Sequence, residues 1–129
     1  MDYRIFNSDE IDHQQCYRLL IGSIVPRPIA WVSSMDEDGV PNLAPFSFFS
    51  IVSHYPPLVT ITVGEKEKHH KDTSANIAAT KGYVIHTVTE GWENQMNESS
   101  ASLPRNVSEF EHIGIETEPS DLVDAPRIK

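Results

Sequence analysis

The sequence predicts a mainly β fold with short helices, its strands antiparallel and arranged as a small β-barrel or an α+β roll. Three observations lead there. Residues 29–35, 42–53, 58–63 and 83–89 are rich in β-branched and aromatic side chains, and turn or breaker residues bound them. The links within 29–63 are too short for the crossovers that a parallel sheet requires, so these strands form a meander of hairpins. The regular strand–helix alternation of a parallel fold is also missing there.

Taken in order, residues 1–10 read as an irregular arm. A short helix follows. Asp12 caps it, Gln15 is its capping-box partner, Cys16, Leu19 and Leu20 share a face, and Gly22 stops it. Pro26 and Pro28 make 24–28 an extended lead-in, because neither fits a central strand. Asp36-Glu37-Asp38-Gly39 is a turn with Gly39 at the left-handed position. Pro56-Pro57 breaks the next strand pair, and Gly64 closes it. Asp72 or Thr73 caps a helix running to about Thr80, with Ile77 facing inward and Gly82 at its end. Residues 92–101 read as a second short helix and Ser108-Glu109-Phe110 as one helical turn, followed by an acidic, turn-rich tail.

A chain of 129 residues with 39% apolar and 22% charged residues is one globular domain with a real core. Its formal charge is −9, of which residues 90–129 carry −6 and residues 1–89 carry −3. Nucleic acid is excluded as a partner, because binding it needs a basic surface. No apolar run reaches the ~18 residues of a membrane span, and the N-terminus lacks the pattern of a signal peptide. With Cys16 as the lone cysteine, a cytoplasmic protein is expected.

The standard phosphate-binding glycine motifs and the serine-hydrolase elbow are absent. His69, His70 and Asp72 are poorly spaced for a metal site and read as a solvated loop. His54, His86 and His112 are isolated, each with a surface or core-satisfied role, and Cys16 reads as a buried, inert thiol. Ser47, Ser50 and Ser53 lie at three-residue spacing beside Phe46, Phe48 and Phe49, which offers hydroxyls to a phosphate and an apolar wall to a flat ring. Core packing explains the same phenylalanines equally well. Pro45 is expected to break strand regularity and free nearby amides. Lys66, Lys68 and Lys71 with His69 and His70 make the one basic cluster, a local home for an anion against the global field. Asp72-Thr73 opens a helix whose first N–H groups are free for an oxyanion.

Five blocks recur in order: Val25-Pro26-Arg27-Pro28-Ile29-Ala30-Trp31-Val32-Ser33-Ser34; Asp38-Gly39; Asn42-Leu43-Ala44-Pro45-Phe46-Ser47-Phe48-Phe49; Val52-Ser53 with Pro56-Pro57-Leu58; and Lys71-Asp72-Thr73 with Asn76-Ile77. Together they resemble the flavin reductase-like family, which includes flavoredoxin and the reductase components of two-component monooxygenases. The resemblance implies an antiparallel, Greek-key-like split β-barrel, a homodimer, and FMN in a groove near the dimer interface. Ala30, Trp31, Val32 and Ser33, with Asn42, Ala44, Pro45, Phe46 and Ser47, would line the isoalloxazine. Ser47 and Ser50, with Arg27 or Lys71 and Thr73, would meet the phosphate and ribityl groups, and Asn76 belongs to the same set. NADH or NADPH would be the electron donor, and a monooxygenase component a partner. No catalytic acid–base pair is required, since hydride chemistry belongs to the cofactor. Two alternatives remain: a non-catalytic FMN-binding or electron-carrier protein, and a truncated paralogue acting only through dimerisation. Family members are longer, so the expectation is a barrel lacking its C-terminal strands.

Overall fold

The computed structural model describes residues 2–64 and 71–129. In chain order the elements are α1 (His13–Ser23), β1 (Ala30–Met35), β2 (Pro41–Phe46), β3 (Phe49–His54), β4 (Pro57–Ile61), α2 (Asp72–Thr80), β5 (Tyr83–Thr87), α3 (Glu93–Glu98), α4 (Glu109–Ile113), β6 (Thr117–Glu118) and β7 (Arg127–Ile128). The fold is mainly β with short helices, as the sequence predicts.

The strands form three antiparallel sheets, β2-β1-β5, β3-β4 and β6-β7. Among the described residues they close no barrel. The meander expectation is corrected at one point: β2 and β3 do not pair, and the far side of β1 is taken by β5 in register Ala30↔Thr87. Residues 47–48 interrupt the strand between β2 and β3, so the stretch read as one run is two strands in different sheets.

β1 is central and enclosed on both faces, which is why its residues are small or apolar; Ala30, Val32, Ser33 and Ser34 are 0% exposed. Strand alternation then sorts two cores. Trp31 and Leu43 face α4 and join Phe110 and Ile115, with Trp92, Met96 and Ile128 packed around them. Ala30, Val32 and Phe46 face the other way, with Ile77 of α2, Ile85 and Ala44. The β1–β2 turn is held by Asp36, whose Oδ1 accepts N–H bonds from Asp38 and Val40, and Gly39 takes the expected left-handed φ of 83°.

Asp12 caps α1 as predicted, its Oδ1 accepting from Gln15 N at 2.7 Å. Gly22 lies inside that helix, and α1 buries no residue fully, so Cys16 is half-buried rather than a core thiol. α2 runs to Thr80 as expected, but its N-cap is Lys71, with Asp72 and Thr73 already inside the helix, and its left-handed stop is Lys81 at φ 62°, one residue before Gly82. The hairpin β3-β4 packs Phe49 and Ile61 on the second core but leaves apolar side chains in solvent at its register shift, where Ile51 and Val52 are 78% and 62% exposed.

Candidate functional site

β2 is the outer strand of its sheet, and its free edge is where helices from both faces meet. Leu43 N–H points outward and donates to Glu109 Oε2 at 3.0 Å. With the two-residue period, Pro41 and Pro45 share that outward edge and bring no N–H to it. The edge is therefore blunted by a buried carboxylate and two prolines. Pro45 sits in regular register opposite Trp31, which corrects the expectation of a broken strand with freed amides.

Along this edge lies a cleft of about 310 Å³, lined by Asn42, Ala44, Pro45 and Phe46 of β2, Lys71, Asp72 and Thr73 at the start of α2, Glu109, and residues 99–102. Asn42 Nδ2 donates to Thr73 Oγ1 at 2.9 Å, which ties β2 to α2 and leaves the Thr73 hydroxyl proton available for a further acceptor. Behind it, Asn76 Nδ2 donates to Ser34 Oγ at 3.2 Å, bracing α2 on β1. Lys71 occupies the N-cap position of α2 without making a side-chain cap, and its Nζ lies 5.7 Å from the centroid of the Phe46 ring. The donors facing this cleft are thus the Lys71 ammonium, the Thr73 hydroxyl and the first-turn N–H groups of α2, a set suited to a phosphoryl group. Asp72 and Glu109 oppose an anion there, but Glu109 is turned to the Leu43 amide.

The sequence-predicted residues divide between places. Asn42, Ala44, Pro45, Phe46, Lys71 and Thr73 come together on this cleft. Arg27, Ser47 and Ser50 line a different, largely apolar cleft of about 620 Å³ between α1 and the β3-β4 hairpin. The set that would join Ser47 and Ser50 to Lys71 and Thr73 is therefore split, because the chain turns out of β2 at Ser47. Arg27 spends Nη1 on the carbonyls of Ile21 and Ile24 at 2.6 and 2.7 Å, closing the end of α1. Ala30 and Val32 are core residues, and Ser33 Oγ donates to Pro126 O at 2.6 Å. Lys66, Lys68, His69 and His70 lie outside the described residues. His54 is exposed on β3.

Sequence reasoning missed residues 99–102 and Glu109. The run Ser99-Ser100-Ala101-Ser102, small residues after an amphipathic stretch, was the available signal; reading the helix through to 101 hid it, whereas α3 ends at Glu98.

Trp31 also reaches a second site of tight bonding. Its carbonyl is 3.0 Å from His86 Nδ1, and Ile128 N–H donates to His86 Nε2 at 3.1 Å. A carbonyl only accepts and an amide N–H only donates, so the ring is held neutral with its proton on Nδ1. Burial lowers the pKa of His86 below the usual 6.5, more than the Trp31 carbonyl raises it. Lys129, which lines the same hollow and pairs with Glu116 at 2.9 Å, adds no negative charge to offset this. Unfolded chains then bind a proton in a range where folded ones do not. The contribution of His86 is complete above pH 6.5 and is lost as pH falls from there toward the lowered folded value. Urea unfolding between about pH 5.5 and 7.5 is expected to show stability rising with pH, with a weaker slope in His86→Gln. Equal slopes in both proteins would remove His86 as the source.

The family described as a flavin reductase like domain matches residues 21–129. An uncharacterised protein of Aquifex aeolicus is 42% identical over 121 residues, covering 93% of this chain and 62% of that one. The solved structure of nitrilotriacetate monooxygenase component B from Bacillus cereus is similar with a TM-score of 0.95 at 37% identity, over 100% of this chain and 64% of that chain. A split barrel domain from Shewanella frigidimarina shares the fold with a TM-score of 0.76 at 22% identity, over 98% of this chain and 64% of its own. The chain thus spans a little under two thirds of these relatives, with 62% and 64% covered. None of the described helices is long and apolar enough to cross a membrane.

Proposed function

Since the chain belongs to the flavin reductase-like family, we propose that it binds FMN in the cleft along β2 and reduces that flavin with NADH or NADPH. The observation behind this reading is the meeting of Lys71 and Thr73 at the start of α2 with the apolar wall Ala44-Pro45-Phe46 in one cleft. Lys71 and the first-turn N–H groups offset phosphoryl charge, Thr73 offers a hydroxyl proton, and the β2 wall takes an apolar ring face. Bound flavin supplies the hydride-accepting chemistry, and the chain supplies orientation and electrostatics. The likeness to a monooxygenase component B supports delivery of reduced flavin to a partner oxygenase.

A homodimer is part of the same proposal. Residues 39–64 carry no Asp, Glu, Lys or Arg in a chain of net charge −9, so the exposed β3-β4 hairpin is a face on which two copies meet without repulsion.

The test is titration of the purified protein with FMN and with FAD, followed by anaerobic mixing with NADH or NADPH. FMN binding at micromolar concentration and bleaching of the ~450 nm flavin band are expected, because the flavin carries the chemistry. FMN binding without bleaching would make the protein a flavin carrier, and no binding of either flavin would end the proposal. Sedimentation of the same samples as monomers would remove the dimer.

A further inference from the structure

Trp31 presents no atom to the β2 cleft, yet it holds one of the cleft's walls. That wall is residues 99–102, the chain leaving α3. α3 has six residues, no fully buried side chain and no side-chain N-cap, so it has little stability of its own. Trp31 meets both of its ends. At the start, the Trp92 ring lies 6.0 Å from the Trp31 ring at an interplanar angle of 58°. At the finish, Trp31 Nε1 donates to Ser99 Oγ at 2.8 Å in a buried bond spanning 68 residues. Ser99 in turn donates to Met96 O at 2.7 Å, so its hydroxyl proton is committed and the indole N–H fills an accepting position. Turn bonds from Ser100 N to Asn97 O and from Ala101 N to Glu98 O then set the path of the wall. Trp31 itself is fixed from behind by β1 pairing and by His86 on its carbonyl.

We propose that Trp31 is a positioning residue: through its indole N–H on Ser99 it fixes the 99–102 wall and so sets how tightly the cleft holds the flavin. This role rests on the flavin reading above. The experiment compares Trp31→Phe and Ser99→Ala, each alone and combined, by amide hydrogen exchange without ligand and by FMN titration. Trp31→Phe keeps an aromatic ring in the core while removing the donor, and Ser99→Ala removes the acceptor with little change in volume.

Faster exchange at the Ser99, Ser100 and Ala101 amides is expected in both single variants, with the β1 and β5 amides unchanged. FMN affinity is expected to fall about 3- to 10-fold in each, the scale of one hydrogen bond. The double variant is expected to lose no more than the larger single, because both remove the same bond. Exchange that rises equally over the whole sheet, or wild-type FMN affinity in both single variants, would overturn the role and leave the flavin reading intact. Failure of the wild type to bind FMN would overturn the flavin reading and the role that rests on it.

Discussion

Replacing Phe110 with alanine is expected to destabilise the fold by about 3–5 kcal/mol, a large share of the ~5–15 kcal/mol typical of a domain. Phe110 is 3% exposed and packs with Trp31, Leu43 and Ile115. Its removal leaves a cavity that the enclosed strand β1 has little freedom to fill, since β1 is bounded by strands on both edges. The effect reaches the cleft as well, because Phe110 anchors the helix whose first residue, Glu109, holds the Leu43 amide. The contrast is Leu122→Ala, at a side chain 95% exposed, which is expected to change stability by less than about 0.5 kcal/mol. Urea midpoints of the two variants check both values. A loss below about 1.5 kcal/mol for Phe110→Ala would mean that α4 is not anchored through this ring.

The contrast between Phe110 and Leu122 also shows what the sequence could disclose. Local signals translated well. Asp12 with Gln15 and the Asp36–Gly39 turn are set by groups within four residues of each other, and they stand where the sequence places them. The pairing of β1 with β5 was not legible, since it is decided by burial between segments some fifty residues apart, which leaves no local trace. The same limit governed the candidate site. Asn42, Ala44 and Phe46 share a face by period two, so their grouping was readable. That Ser47 would leave this cleft depended on the break between β2 and β3, and residues 99–102 are tied beside it by Ser99 on Trp31, a contact spanning 68 residues. Lys71 was legible as a charge, but its usefulness depends on where α2 begins.

Replacing Lys71 with alanine is therefore the second variant with a large expected effect, and it acts on binding instead of folding. Lys71 is at the N-cap of α2 and makes no side-chain cap, so its loss leaves the helix start as it was. Its Nζ is 5.7 Å from the Phe46 ring centroid, a contact worth little to folding where the ammonium is half exposed. What disappears is the ammonium facing the cleft that Asp72 and Glu109 also line. A hydrogen bond to a charged group is worth about 1.5–3 kcal/mol, so FMN affinity is expected to fall about 10- to 150-fold while the urea midpoint barely moves. Riboflavin supplies the internal control, because it carries the same ring and ribityl chain without the phosphoryl group. Its affinity is expected to be nearly the same for Lys71→Ala and the wild type, and raising the salt concentration should narrow the FMN difference between them. If FMN and riboflavin lost affinity equally, Lys71 would be shaping the ring end of the cleft, and the phosphoryl group would have to be placed elsewhere. If FMN alone lost affinity, the start of α2 would be fixed as the phosphoryl end, and the ring would have to lie along the Ala44-Pro45-Phe46 wall, since that is the apolar surface continuous with Lys71 in the same cleft.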